Sequence, residues 1–205
     1  WVSGVNIAKI ADEETAIINV GMNQDEAAEI VQDIGKQFDQ IIMMGYPPFM
    51  KWLFDAYDKI NWKEHKIHLL LGGEGFAPSF RDYMYDNYIK NGTIVSAYGT
   101  SDLGIPCASE TSASIEIISS LRKNEELQKE LFGKKQLPML FQYNPTSYHI
   151  YANKNGELIF TMLNLDAVQP LVKYNIHDIG GVISYSKMLE LMQKYDLDIS
   201  IPIKL

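Results

Sequence analysis

The chain is poor in cysteine: among its 205 residues there is one, Cys107. A single thiol closes no internal disulfide and builds no cysteine-rich zinc site, which fits a reducing compartment and makes a cytoplasmic protein the expectation. Basic residues are also in deficit, with 18 Lys and Arg against 26 Asp and Glu and a formal net charge of -8. A chain of that sign has no general attraction for DNA, RNA or anionic lipid, so binding to nucleic acid or a membrane surface is disfavoured as its main task. Long apolar runs are missing too. The most apolar window, residues 41–54, is broken by Gly45, Pro47, Pro48 and Lys51, short of the roughly 20 apolar residues that a spanning helix needs. The opening residues, Trp1 to Gly4, carry neither an initiator Met nor the basic start and apolar stretch of a signal peptide. A chain that opens on Trp is expected to be a piece of something longer.

What is present is ordinary globular material, with 46% hydrophobic, 11% aromatic and 21% charged residues. The length suits one domain, or one domain with an appendage.

From about residue 14 to 104 one pattern repeats: a short apolar run, a turn or cap, then an amphipathic stretch. Residues 15–20 (TAIINV) are the first strand candidate, and Asn23 with Glu26 reads as the cap of a helix whose apolar stripe is Ala27, Ile30, Val31, Ile34 and Phe38. Residues 41–44 are the second strand, and Pro47 and Pro48 suit the first turn of the next helix. Residues 66–71 (KIHLLL) are the third strand, followed by Gly72-Gly73 and a helix opened by Pro78; residues 93–97 (TIVSA) are the fourth. Alternation of this kind predicts an α/β fold with a doubly wound, mostly parallel sheet and helices on both faces. Ligands of such sheets sit at the carboxyl ends of the strands.

After Gly104 the texture changes. Residues 111–132 read as helix in two pieces, with Asn124 a fresh cap and Gly133 a stop. Short apolar runs follow at 139–143, 148–151, 157–162, 170–174 and 181–185, and the run Asn153-Lys154-Asn155-Gly156 is a hairpin turn. A smaller antiparallel β or α+β portion is therefore expected at about 137–185, closed by a helix over 186–195. The expected division is a parallel α/β part over residues 1–110 and a helical connection plus small sheet over 111–205.

Three segments could carry chemistry. Gly72-Gly73-Glu74-Gly75 lies between a strand and a helix, where glycines admit a flat or phosphorylated ligand and where they equally serve a tight turn. The segment 98–104 (YGTSDLG) combines an aromatic ring, two hydroxyls and a carboxylate. Tyr98 can stack on a base, Thr100 or Ser101 can donate to a phosphate and Asp102 can hold magnesium, or the same residues can cap a helix. The segment 170–180 reads as a strand, beginning at Pro170, that runs into a turn carrying His177 and Asp178. Its Asp178 could accept from the paired hydroxyls of a ribose, and the alternative is a pair that caps a turn. Cys107 reads as a small packed residue, the histidines are scattered, and the cluster Met43, Met44, Phe49 and Met50 reads as core or as the lining of an acyl pocket.

The order GGE, then YGTSD about 25 residues on, then PLVKYNIHD about 75 further resembles the adenylate-forming (acyl-CoA synthetase) superfamily, in particular its phenylacetate-coenzyme A ligase branch. Tyr46-Pro47-Pro48-Phe49 is similar to a Pro-Ser-Tyr segment of that branch. The resemblance covers roughly residues 21–185. It implies that Gly72, Gly73 and Glu74 line an adenine pocket, that Tyr98 stacks on adenine, and that Gly99 permits the approach. It further implies Thr100 and Ser101 beside the α-phosphate, Asp102 as the magnesium ligand, Asp178 on the ribose hydroxyls and Lys173 where the family often has Arg. Tyr46, Pro47 and Ala97 would border the substrate pocket.

The departures are Asp102 for the usual Glu, and Asn175, Ile176 and His177 in place of Arg-Thr-Gly. His177 takes no role from the family and reads as structural. Nothing before Gly21 matches the family's phosphate loop, and the lysine-bearing lid domain would follow Leu205. The implied protein is therefore an interior part of a large adenylation domain. Its parent would activate a small carboxylic acid with ATP and magnesium and pass the acyl group to coenzyme A or a carrier protein, while the excised chain would turn over poorly or not at all. The alternative is a non-catalytic nucleotide- or small-molecule-binding module, or a degenerate homologue kept for protein contacts.

Overall fold

Asn23 begins the first helix because its side chain can do what a helix amino terminus needs. Its Oδ1 accepts from the Glu26 N–H at 3.2 Å, which satisfies one of the unpaired amides of α1 (Gln24–Ile34). The computed structural model describes residues 15–133, 137–164 and 169–199. The chain divides into two compact units, Trp1–Pro106 and Cys107–Leu205, and the architecture is mixed α/β.

In the first unit β1 (Ile41–Gly45), α2 (Pro47–Ala56), β2 (Ile67–Gly72), α3 (Pro78–Asn87) and β3 (Ile94–Thr100) alternate. Pro47 and Pro78 each open their helix, where the missing N–H costs nothing and the ring presets φ. β1 pairs β2 and β2 pairs β3, both in parallel, with Gly45 beside Leu71 and Gly72 beside Ala97. Ile67, Leu69 and Leu71 alternate along β2 and are buried against Phe49, Met50, Leu53 and Phe54 of α2, Val31 of α1 and Met84 of α3. Burying each such aliphatic side chain contributes about 1.5–3 kcal/mol, so this core holds the strand ends in register.

Residues 15–20 do not form the expected strand. They are mostly exposed and belong to no ladder, and the Val20 carbonyl accepts instead from the Asn23 N–H at 3.2 Å at the start of α1. Apolar alternation makes a strand only where an edge is offered to pair with. Phe38 also leaves the predicted stripe, at 45% exposure. A 3-10 turn at Gly35–Gln37 ends the α-helical period before residue 38 is reached.

β3 runs three residues beyond the expected end at Ala97, and a turn at 101–103 leads into β4 (Gly104–Ser109). The last residues of β4 pair with β5 (Gln142–Tyr143) in antiparallel fashion, and the strand order is β1-β2-β3-β4-β5, a mixed and mostly parallel sheet. The boundary between the units falls inside β4.

In the second unit α4 (Ser112–Leu121) is opened by a capping box of Thr111 and Ser114, and α5 (Glu125–Phe132) by Asn124, whose Oδ1 accepts from the Leu127 N–H at 3.0 Å. Gly133 ends α5 at φ 63, the left-handed conformation that the sequence predicts. α6 (Tyr185–Lys194) starts on Ser184 and packs Met188, Leu191 and Met192 with Ile117, Ile118, Leu121 and Leu127.

A separate antiparallel sheet has the order β6-β7-β8, with β6 (Tyr148–Ala152), β7 (Glu157–Met162) and β8 (Tyr174–Ile179). The expected run 181–185 is no strand, because Ser184 caps α6 there; of 139–143 only Gln142 and Tyr143 are extended in a ladder. No helix among the described residues is long and apolar enough to cross a membrane.

Candidate functional site

Parallel pairing brings four of the sequence-selected residues to one edge. Gly72 ends β2 beside Ala97 of β3, Gly45 ends β1 beside Leu71, and Tyr46 follows directly as the residue before Pro47 and α2. A Cβ on Gly72 would stand 3.1 Å from the Ala97 carbonyl oxygen, tighter than ordinary contact. Gly73 adopts φ +81, and a Cβ there would reach the Tyr46 Cβ at 4.0 Å. The two glycines thus sit at the carboxyl edge of three parallel strands, Gly72 where a side chain would crowd the Ala97 carbonyl and Gly73 where the backbone takes a left-handed φ. Glu74 is exposed just beyond them, in a bend ahead of α3.

The segment YGTSD is arranged differently from the loop that the sequence suggests. Tyr98, Gly99 and Thr100 are half-buried residues of β3 rather than loop residues. Thr100 Oγ1 accepts from the Leu103 N–H at 3.2 Å, and Leu103 is fully buried, so this hydroxyl closes the turn. Ser101 and Asp102 are thereby left exposed at its tip. A hydroxyl and a carboxylate presented on a tied turn can meet a ligand with little rearrangement.

In the second unit the expected order of strand and turn over 170–180 is reversed. Residues 170–173 form no strand, Lys173 is exposed at φ 52, and its N–H donates to Thr161 Oγ1 at 3.0 Å. Asn175, His177 and Asp178 are instead residues of β8. The register explains the reversal. Between the pairs Ile159 with Asn175 and Glu157 with Ile179, one β7 residue, Leu158, faces three on β8: Ile176, His177 and Asp178. The surplus bulges, and His177 takes φ 63, a left-handed value uncommon outside glycine.

One carboxylate organises that bulge. Glu157 accepts from Asn153 Nδ2 at 2.8 Å and Asn175 Nδ2 at 3.2 Å, and its Oε1 lies 3.0 Å from His177 Nδ1. The His177 contact, then those of Asn153 and Asn175, hold the Glu157 carboxyl down at about 2 against an ordinary 4.5. Because the folded state lowers this pKa, the stability that it contributes is complete above about pH 4.5 and is lost as pH falls toward 2. Acid melts monitored by circular dichroism should therefore show a steeper loss of stability in that window for the native chain than for Glu157→Gln. Identical profiles would mean that the cluster adds nothing to folding.

Glu157 belongs to none of the three segments that the sequence singles out. No local sequence signal marks it, because Asn175 and His177 converge on Glu157 only through the bulge at left-handed His177. A second cluster without a sequence motif lies in the first unit, where Asp55 accepts from Tyr83 Oη at 2.6 Å, Tyr88 Oη at 2.8 Å and Lys51 Nζ. Burial raises the Asp55 carboxyl, but these hydrogen bonds outweigh it and hold the group below its usual value. The cluster ties α2 to α3.

Cys107 is buried, and burial, reinforced by the Asp178 charge, pushes its thiol up to about 11. A protonated buried thiol is no nucleophile at neutral pH. His68 Nδ1 lies 2.9 Å from Thr93 Oγ1, and burial lowers the pKa of the ring. Phe49 and Met50 belong to the core of the first unit. Among the described residues no group of three or more His, Cys, Asp or Glu is placed to hold a metal ion.

A scan of the chain against models of known protein families finds no match, and a search of curated proteins finds none either.

Proposed function

We propose that the chain is the later part of an adenylation domain, doubly wound in its first half, from an AMP-forming acid–thiol ligase. The observation that carries this reading is the gathering of Tyr46, Gly72, Gly73 and Ala97 at the carboxyl edge of β1 to β3. Tyr98 and the exposed Ser101 and Asp102 follow in sequence along and after β3.

In this reading the bare backbone of Gly72 and Gly73, with Glu74, receives the adenine, and Tyr98 stacks on it across Gly99. Ser101, with Thr100 holding the turn, donates to the α-phosphate. Taken by itself, the second unit offers Asp178 at the position that the resemblance gives to a carboxylate accepting from ribose hydroxyls, and Lys173 where the family often has Arg. Magnesium arrives on the triphosphate as part of the substrate, and Asp102 adds one oxygen to its shell.

An oxygen of the acid's carboxylate attacks the α-phosphorus in line, the bond to the bridging oxygen breaks, and pyrophosphate leaves an acyl adenylate. The thiol of coenzyme A then attacks the acyl carbon and AMP departs. The residues named act by positioning and by stabilising charge on the phosphate. A reducing, cytoplasmic setting suits a coenzyme A thiol and the lone buried Cys107.

The test is carboxylate-dependent pyrophosphate exchange by the full-length polypeptide that carries this chain. Exchange is expected with one member of a panel of aryl and aliphatic acids. It should fall about tenfold or more in Asp178→Ala, the scale of a lost charge-assisted hydrogen bond. A protein that binds ATP but exchanges nothing supports the binding module instead. One that binds no ATP overturns the nucleotide reading altogether.

A further inference from the structure

The β8 bulge sets the backbone immediately before Asp178, and its three tethers converge on one side chain. Glu157 receives Asn153 from the hairpin turn, Asn175 from the near side of the bulge and His177 from its apex. The turn itself is rigid: Asn153 Oδ1 accepts from the Asn155 N–H at 2.8 Å and the Glu157 N–H at 3.0 Å, and Gly156 sits at φ +78. Beyond the bulge the Gly180 N–H donates to the Gly156 carbonyl at 2.9 Å. Within the bulge the His177 N–H donates to Asn175 Oδ1 at 2.8 Å. A non-glycine residue at φ 63 persists only when its surroundings over-determine it, and such strain collects at sites where one geometry is wanted.

We propose that Glu157 is a positioning residue which, through Asn153, Asn175 and His177, locks the β8 bulge and so fixes Asp178 in the geometry that accepts a ribose diol. This rests on the reading of Asp178 as the ribose carboxylate. It goes beyond that reading in assigning Glu157, Asn175 and His177 to the placement of Asp178, and it gives two of the departures from the family's motif, Asn175 and His177, a common purpose. A carboxylate suits the task because its two oxygens can serve three donors at once, which an amide cannot do without setting one N–H against another.

The experiment compares binding of ATP and of 2′,3′-dideoxyATP to the same protein by calorimetry. A loss of fold weakens both ligands alike, whereas a misplaced Asp178 weakens ATP alone. Native protein is expected to prefer ATP by about tenfold or more, the scale of hydrogen bonds to a charged acceptor. Asp178→Ala should abolish the preference. Glu157→Ala should remove most of it while leaving 2′,3′-dideoxyATP binding within about twofold, and Glu157→Gln should restore part. His177→Ala, which removes one exposed tether, carries the same comparison if Glu157→Ala does not fold.

A native preference lost in Asp178→Ala but intact in both Glu157→Ala and His177→Ala overturns the inference and leaves the ribose reading standing. No preference in the native protein, or no ATP binding, overturns both.

Discussion

Replacing Gly92 by alanine is expected to destabilise the first unit by about 3 kcal/mol or more, at or beyond the upper end of the usual cost of overpacking. A Cβ at this position would stand 1.8 Å from the Ile67 carbonyl oxygen and 2.6 Å from its carbon, and the backbone holds φ +137. Neither side can yield. Ile67 is fully buried, is paired with Ile41, and donates its N–H to the Asn91 carbonyl at 3.0 Å. The clash therefore bears on the chain just before β3 and on the first residue of β2 together, the two strands that carry Gly72 and Ala97 to their shared edge. Gly133→Ala is the control, since that glycine also has positive φ but nothing within 4 Å of a Cβ. It should cost only about 1 kcal/mol, the left-handed penalty alone. Urea unfolding of both variants decides the matter, and equal losses would show that crowding against Ile67 is not what Gly92 relieves.

Phe54→Ala should cost about 3 to 5 kcal/mol by leaving a cavity beneath α2. The ring is 0% exposed, with its centroid 4.4 Å from that of Trp62 and 5.4 Å from that of Tyr88. Trp62 has little room to collapse into the gap, because its Nε1 donates to the Tyr57 carbonyl at 3.0 Å. Two positions earlier on the same helix Trp52 is 66% exposed, and Trp52→Ala should change stability by no more than about 0.5 kcal/mol. The pair separates burial from side-chain size. α2 rests on the sheet through Phe49, Met50, Leu53 and Phe54, and its first turn carries Pro47 beside Tyr46. Loss of Phe54 should thus loosen the edge where the nucleotide is proposed to lie. Unfolding midpoints that coincide for the two variants would refute the packing argument.

Features that rest on neighbours within four residues are legible in the sequence. Asn23 and Asn124 cap helices through amides three residues on, Pro47 and Pro78 open helices by their fixed φ, and Asn153 to Gly156 turn a hairpin. The gathering of Tyr46, Gly72 and Ala97 is legible for a related reason. Alternating strands and helices pair in parallel, and parallel pairing puts the carboxyl ends at one edge.

The features that the sequence leaves hidden depend on partners far along the chain. Residues 15–20 have strand composition, yet composition supplies no edge to pair with. Tyr98 to Thr100 look like loop residues until Leu103 is buried and Thr100 closes the turn beneath them. The run 170–180 exchanges its turn and strand because Glu157, some 18 to 20 residues away, collects Asn175 and His177 and shifts the register. Gly92 answers to Ile67 in the same way.

Local chemistry thus set where helices begin, where the hairpin turns and which residues reach the edge of the parallel strands. Packing set which apolar runs became strands, how far β3 extends and where the bulge before Asp178 falls. The division has a physical cause: caps and turns are satisfied by atoms close in sequence, whereas a strand or a bulge exists only through the partner it hydrogen-bonds, and that partner is chosen by the fold as a whole.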